Sequence, residues 1–118
     1  LLAYSPLAGG LLSGKYRNNQ KPENARLTLF KSMAYYFNEN SIKAIEKYCD
    51  IADELNISLA TLCLAFVNDR AFVTSNIIGA TSIEQLKENI NSAFVSLDKE
   101  TMKKIDAVFS QIPNPGTF

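Results

Sequence analysis

The chain has 118 residues, of which 12 are basic and 12 acidic, so its formal net charge is zero and its length suits a single domain. A neutral chain lacks the positive excess with which proteins bind nucleic acid or an anionic membrane surface, and we expect neither partner. No apolar run reaches the roughly 18 residues of a membrane-spanning helix, and no signal peptide is visible.

The sequence contains no histidine and only two cysteines. The lack of histidine excludes a Ser-His-Asp triad, a histidine-based metal site and a histidine general acid within these residues, and we predict no metal. Cys49 and Cys63 fall on the apolar faces of predicted helices. This placement favours buried, reduced thiols in a cytoplasmic protein.

The beginning of the sequence predicts a strand followed by two loops. Residues 1–4 are apolar and are followed by Pro6, which predicts a buried strand that ends near residue 4. Residues 7–16 form a glycine-rich loop, and residues 17–26 a polar, exposed one. Residues 27–36 are ambiguous between a short helix and an irregular segment.

Two amphipathic helices are predicted next. In residues 41–56, apolar side chains including Ile45 and Cys49 recur at spacings of three and four and form one stripe. Ser58 is the predicted N-cap of a second helix over residues 59–68, whose apolar residues share a face.

A second strand and its following helix come after these. Residues 73–78 are predicted to form a strand that ends at Gly79. Ser82, with Gln85 three residues later, has the form of a capping box and predicts a helix that continues to about residue 92.

The last predicted helix begins after Asp98, its N-cap. Leu97 and Met102 stand at the positions of a hydrophobic staple. The apolar face of this helix passes through either Val108 or Phe109. Two prolines in residues 113–116 end it.

The order of the elements predicts the fold class. Both strands are nearly continuous apolar runs, which is typical of parallel strands buried on both faces. Two such short strands cannot form a stable sheet alone. We therefore predict an α/β fold in which residues 1–118 form the C-terminal part of one (β/α)8 barrel domain, from about strand seven to the terminal helix; whole barrels have about 250 residues.

Two loops are candidate ligand sites. Residues 78–82 run from a strand into a helix, so that backbone N–H groups and the helix dipole converge, and Gly79 permits close approach. Residues 4–15 contain three glycines and Lys15, whose charge suits a phosphate. Both also have ordinary interpretations, as a common strand-turn-helix junction and as a surface loop with a solvated lysine.

Taken together, these residues resemble the aldo-keto reductase family. Residues 4–16 are similar to the family's loop after strand seven, and residues 79–89 to its adenosine-phosphate segment after strand eight. Residues 21–26 are similar to those of the bacterial members and the potassium-channel β subunits. The resemblance covers essentially the whole chain but only the last part of a full-length member.

The resemblance implies that the chain binds NADP(H) and assigns residues to the parts of that cofactor. Tyr4 would stack on the nicotinamide ring. The pyrophosphate would be lined by Ser5, Pro6, Leu7, Ala8 and Gly9, with positive charge from Lys15 and Arg26. The ribose 2′-phosphate would be surrounded by Gly79, Thr81 and Gln85, and the adenine would be held by Glu88 and Asn89. Many members carry arginine at the position of Gln85, so glutamine weakens the preference for NADPH over NADH without removing it.

The implied chemistry is hydride transfer to the carbonyl carbon of an aldehyde or ketone. In the family a tyrosine, a lysine, an aspartate and usually a histidine act in this reaction, and all come from earlier strands, so no catalytic residue is assigned here. We expect little or no activity and weak folding from these residues alone, because both strands would expose edges. The alternatives are a non-catalytic product of a split or decayed gene, and an NADP-binding regulatory subunit.

Overall fold

The computed structural model describes residues 1–30, 32 and 36–116. In chain order the strands and α-helices are β1 (Leu2–Tyr4), α1 (Arg26–Leu29), α2 (Glu39–Glu54), α3 (Leu59–Asn68), β2 (Ser75–Ile77), α4 (Ile83–Asn91) and α5 (Lys99–Gln111). Short 3-10 helices occupy Ala8–Ser13, Arg17–Asn19 and Ser92–Phe94. The predicted order of strand, loop, helices, strand, helix and helix is confirmed.

Helix α2 begins earlier than the predicted start at residue 41. Its first residue is Glu39 and its N-cap is Asn38. The Asn38 side-chain oxygen accepts the Ser41 backbone N–H at 3.0 Å, and the Ser41 hydroxyl oxygen accepts the Asn38 N–H at 2.9 Å. Because this reciprocal pair satisfies donors that the first helical turn leaves open, the helix extends to Glu39.

The three predicted N-caps are confirmed. In each, the side-chain oxygen accepts the backbone N–H three residues later: Ser58 from Thr61 at 3.0 Å, Ser82 from Gln85 at 3.2 Å and Asp98 from Thr101 at 2.7 Å. Helices α3, α4 and α5 therefore begin where local hydrogen bonding predicts.

The core lies between α2, α3, α5 and the loop that follows β1. Helix α3 is its centre, since it contacts that loop, α2, α4 and β2. The largest side chains with almost no exposure include Tyr16, Ile45, Leu62 and Leu64. In α5, Val108 is 7% exposed and Phe109 is 53% exposed, so the apolar face passes through Val108.

The two cysteines are unpaired within the described part of the chain. Cys49 in α2 is buried, whereas Cys63 in α3 is partly buried. Burial raises the pKa of the Cys63 thiol to about 12, and it also raises the pKa of Cys49. Both side chains are therefore neutral thiols at pH 7.

Strands β1 and β2 form a parallel pair, as predicted. Leu2 pairs with Ser75 and Tyr4 with Ile77. Strand β2 is shorter than the predicted 73–78, and the predicted burial of the strands is wrong for these residues: Leu2 is 61% exposed, Tyr4 80% and Ile77 53%. The described residues contain only these two strands, so nothing covers the apolar side chains that the sequence pattern expects to be enclosed.

The polar segment over residues 17–26 is mostly exposed, as predicted, and its first residue is joined to α2. Arg17 forms ion pairs with Glu46 at 3.5 Å, Asp50 at 3.3 Å and Asp53 at 2.7 Å, all on α2. The hydrogen bond to Asp53 is the largest cause of the raised pKa of Arg17. These contacts join the loop after β1 to α2.

The ambiguous segment over residues 27–36 begins within a helix. Helix α1 buries Leu27 and ends at Leu29. Residues 31 and 33–35 of this segment lie outside the described residues, as do residues 117 and 118 of the tail.

Candidate functional site

The two candidate loops leave the same edge of the sheet. Because β1 and β2 are parallel and Tyr4 pairs with Ile77, the loop beginning at Ser5 and the segment beginning at Ile78 start side by side. Ligands of α/β proteins bind at this carboxyl edge of the strands. Folding thus brings together two groups of predicted residues that are far apart in the sequence.

The loop after β1 has an unusual backbone. Ser5 has φ 53° and Ala8 has φ 48°, in the left-handed region that residues other than glycine seldom adopt. The Ala8 N–H donates to the Ser5 carbonyl at 2.9 Å, and the Leu12 N–H donates to the Leu7 carbonyl at 3.1 Å, so tight turns hold this conformation. Such strain costs of order 1–3 kcal/mol per residue and is concentrated at functional sites.

Tyr4, which precedes this loop, has 80% of its surface exposed. It ends β1 at the edge from which both loops leave. A flat side chain so placed has a free face on which an aromatic ligand ring can stack.

A buried hydrogen bond joins the segments that carry the two predicted cations. Tyr16 is 1% exposed, and its hydroxyl oxygen accepts the Leu27 backbone N–H at 3.1 Å. Lys15 precedes Tyr16 and Arg26 precedes Leu27, and both cations are exposed. Tyr16 thus fixes the segment bearing Arg26 to the end of the loop bearing Lys15. This role of Tyr16 has no local sequence signal, because its hydroxyl bonds to a residue 11 positions away.

The N-terminus of α4 carries the second group of candidate site residues. The Thr81 backbone N–H and hydroxyl both donate to the Gln85 side-chain oxygen, at 2.9 and 3.1 Å. The predicted capping box is therefore modified: Ser82 caps the helix as expected, but Gln85 accepts from Thr81 rather than from Ser82. The Gln85 amide nitrogen is left to donate to a ligand, since it donates to none of the other described residues.

Open space surrounds Gly79 at the start of this segment. A Cβ built there meets no atom within 4 Å. A ligand can therefore approach the backbone of residue 79 closely, as the sequence analysis expects.

Glu88 and Asn89 lie in α4 and form hydrogen bonds with neighbouring segments. A carboxylate oxygen of Glu88 accepts from the hydroxyl of Ser58, the N-cap of α3. Asn89 is 7% exposed, and its amide donates to the Gly79 carbonyl at 3.2 Å. These contacts hold α4 and the Gly79 turn in place; the assignment of both residues to adenine stays a prediction.

One acidic residue that the sequence analysis did not single out stands at the same helix end. Glu84 lies in the first turn of α4. Hydrogen bonds from its own backbone N–H and from the Ser82 hydroxyl lower its pKa, so it is ionised at neutral pH. A carboxylate here opposes a phosphate that would use the same helix dipole.

The described residues offer neither a metal cluster nor a membrane-spanning helix. No group of three or more histidine, cysteine, aspartate and glutamate side chains among the described residues is arranged to hold a metal ion. Within the same part of the chain, no helix is long and apolar enough to cross a membrane.

Known proteins resemble this chain in sequence and in fold. The model of the Aldo/keto reductase family matches residues 1–109. Protein tas of Escherichia coli strain K12 is 44% identical over 108 residues, which cover 92% of this chain and 31% of that protein. The uncharacterized oxidoreductase YrpG of Bacillus subtilis is 34% identical over 117 residues, which cover 98% of this chain and 33% of that protein. A probable voltage-gated potassium channel subunit beta of Oryza sativa is 35% identical over 118 residues, which cover 96% of this chain and 36% of that protein.

Among solved structures, a glycerol dehydrogenase from Gluconobacter oxydans superposes with a TM-score of 0.73 at 23% identity, over 95% of this chain and 34% of that one. This likeness identifies the fold class as a portion of a TIM (β/α)8 barrel, which confirms the predicted class.

Because the family model matches most of its residues, the chain belongs to the aldo-keto reductase family. The resemblance seen in residues 4–16 and 79–89 is thereby confirmed. The chain spans about a third of the length of the curated relatives it matches. Members of the family are oxidoreductases that generally use NAD(P)(H) and act on small carbonyl compounds.

Proposed function

We propose that this chain is the cofactor-binding, C-terminal portion of an NADP(H)-dependent aldo-keto reductase that reduces aldehydes or ketones to alcohols. The observation that carries the proposal is the parallel register of β1 and β2, which starts both candidate loops at one edge of the sheet. A dinucleotide that binds at this edge is long enough to contact both loops.

Several exposed groups of this chain fit the chemistry of the cofactor. Tyr4 offers an exposed ring to the nicotinamide, and Lys15 and Arg26 offer exposed positive charges to the phosphates. Gly79 leaves room beside the backbone, and the N-terminus of α4 favours an anion. Each part of the dinucleotide therefore has a group of suitable shape or charge in this chain.

The roles of the individual residues follow the family resemblance. The strained loop formed by Ser5, Pro6, Leu7, Ala8 and Gly9 would hold the pyrophosphate. Gly79, Thr81 and Gln85 would bind the 2′-phosphate, and Glu88 and Asn89 would hydrogen-bond the adenine. When bound, the cofactor supplies the hydride that reduces the carbonyl carbon. This chain orients the cofactor, and the proton donor lies outside these residues.

The preference for NADPH over NADH is expected to be moderate. Gln85 can donate one amide hydrogen bond to a 2′-phosphate, but it lacks the charge and the paired donors of arginine. The ionised Glu84 further reduces the attraction of the helix end for a phosphate. We also expect a cytoplasmic location, which suits the two unpaired thiols.

A second candidate function is a cofactor-binding regulatory subunit. It is favoured by the 35% identity to a rice protein named as a probable potassium channel subunit beta. In that case the same loops would bind NADP(H), but the bound cofactor would regulate a partner protein and would not reduce a substrate. The two functions are distinguished by whether the complete polypeptide consumes NADPH in the presence of small aldehydes.

The proposal is tested by titrating the purified chain with NADPH and with NADH while following cofactor fluorescence. We expect saturable binding that Lys15→Met weakens several-fold. Lys47→Met, which removes an exposed lysine of α2, serves as the matched control. The proposed site is contradicted if the folded chain binds neither cofactor. It is also contradicted if Lys15→Met and Lys47→Met lower the affinity for NADPH equally.

A further inference from the structure

The C-terminal segment is attached to the start of α2. The Asn38 side-chain amide donates to the Pro115 carbonyl at 2.7 Å, a contact between residues 77 apart in the sequence. The oxygen of the same side chain accepts the Ser41 N–H and caps α2. The side-chain oxygen of Asn38 therefore bonds to the helix, and its side-chain nitrogen bonds to the tail.

The next residue of the tail also packs closely against this segment. A Cβ at Gly116 would lie 3.0 Å from Cδ1 of the Tyr36 ring, closer than nine in ten real Cβ contacts. A glycine thus allows the tail to approach the ring. We call residues 36–38 and 115–116 together the tail clasp.

The tail clasp continues by direct contacts to the candidate site. The Phe37 ring packs edge-to-face on Tyr16, with ring centroids 5.7 Å apart and an interplanar angle of 63°. Tyr16 in turn holds the Leu27 N–H at 3.1 Å, next to Arg26. An unbroken series of contacts therefore joins the tail to the segment that carries one of the two predicted phosphate-binding cations.

We propose that Asn38 is a positioning residue for the nucleotide site, and that the tail clasp holds Arg26 in place for the pyrophosphate. This inference rests on the proposed cofactor function. Releasing the tail frees the segment over residues 36–38, loosens the packing of Phe37 on Tyr16 and lets the Leu27 segment move. The 2′-phosphate end of the site, which α4 carries, does not depend on this series of contacts.

The substitution Asn38→Asp isolates the clasp from the helix cap. Aspartate caps a helix as well as asparagine does, and its charge suits the helix N-terminus. It cannot donate to the Pro115 carbonyl, and its carboxylate repels that oxygen. The matched control is Asn40→Asp, which adds the same charge at an exposed position in the first turn of the same helix.

The first measurement needs no cofactor. Hydrogen–deuterium exchange of the backbone over residues 16–29 is expected to be about threefold to tenfold faster in Asn38→Asp than in the unmodified chain, as for loss of one hydrogen bond. Asn40→Asp should leave this exchange unchanged. Equal exchange in all three proteins overturns the inference, and so does equal acceleration in both variants.

The second measurement separates the two ends of the site. NADPH and adenosine 2′,5′-bisphosphate are each titrated against the three proteins. Asn38→Asp should weaken the binding of NADPH by about fivefold, which is the effect of one hydrogen bond. The affinity for the bisphosphate should stay the same, because only NADPH extends to Arg26. A merely destabilised chain would lose both ligands in parallel, which overturns the positioning role.

The failures of the two proposals are distinguishable. If the unmodified chain binds NADPH and Asn38→Asp binds it equally well, the tail clasp is wrong and the proposed function stands. If the unmodified chain binds neither ligand, the proposed function fails at this site, and the positioning role fails with it even where exchange shows that the contacts exist.

Discussion

The hydroxyl oxygen of Tyr16 accepts the backbone N–H of Leu27 at 3.1 Å in a position where Tyr16 is 1% exposed. This bond spans 11 residues of sequence and joins the glycine-rich loop to α1. It therefore supports both the core and the candidate site.

Replacing Tyr16 by phenylalanine keeps the ring and removes only this acceptor. The Leu27 N–H is then left buried without a partner, and we expect the free energy of unfolding to fall by about 1–3 kcal/mol. Urea denaturation followed by circular dichroism measures the change. Tyr48→Phe is the control, since the Tyr48 hydroxyl bonds to none of the described residues; a loss of the same size there would show that the Tyr16 bond is not the cause.

Replacing Gln85 by arginine should increase the preference for NADPH over NADH by about tenfold, because a guanidinium binds a phosphate with charge and with two donors. The variant also loses the oxygen that accepts from Thr81, so some stability of the α4 N-terminus is lost. Fluorescence titration with both cofactors gives the ratio of dissociation constants. Gln111→Arg places the same change at the exposed end of α5 and should leave that ratio as it is. An unchanged ratio in Gln85→Arg places the 2′-phosphate elsewhere.

Replacing Glu84 by glutamine removes the carboxylate from the first turn of α4. We expect NADPH to bind several-fold more tightly, with a smaller gain for NADH and a smaller effect at high salt. Glu100→Gln is a matched control, since Glu100 occupies the same position in the first turn of α5. Equal changes in both variants would mean that net charge, and not the local helix end, decides the affinity.

The N-cap of α5 makes stability depend on pH in a definite direction. The hydrogen bond from the Thr101 backbone N–H is the largest cause of the lowered pKa of Asp98. A carboxyl whose folded pKa is lowered binds more protons when unfolded, so its contribution is present above the ordinary pKa and is lost as pH falls through the folded value.

Thermal unfolding between about pH 5 and pH 2 tests this expectation. Asp98→Asn keeps an acceptor for the Thr101 N–H but does not titrate, so its melting temperature should fall less steeply with acid. Glu39 and Glu84 also have lowered pKa values and contribute to the slope of both proteins. The difference between the two curves is therefore the informative quantity, and parallel curves would contradict the role of Asp98.

The sequence predicts features that depend on neighbouring residues. The caps at Ser58, Ser82 and Asp98 are correct because each is a side chain bonding three residues along its own helix. The parallel orientation of the strands is correct because continuous apolar runs separated by helices leave few other arrangements. The start of α2 is misplaced, since Ser41 serves the capping box from inside the helix while Asn38 is the N-cap.

Other features of the site depend on contacts that no local rule contains. Arg17 lies in a polar segment that the sequence predicts to be an exposed loop, yet its guanidinium pairs with three carboxylates of α2. Ser5 and Ala8 adopt positive φ although neither is a residue that favours it. The turns after β1 impose these conformations once the loop packs against α3.

By itself the sequence determined the family, the order of the elements, the caps of α3, α4 and α5, and the two segments proposed to bind the cofactor. Only the tertiary structure decided that Tyr16 holds the segment of Arg26, that Gln85 accepts from Thr81, and that Asn38 divides its amide between a helix and the tail. The physical reason is the range of the interactions. Periodicity and capping act within a few residues, whereas a hydroxyl or an amide finds a partner 11 or 77 residues away only after the chain has folded.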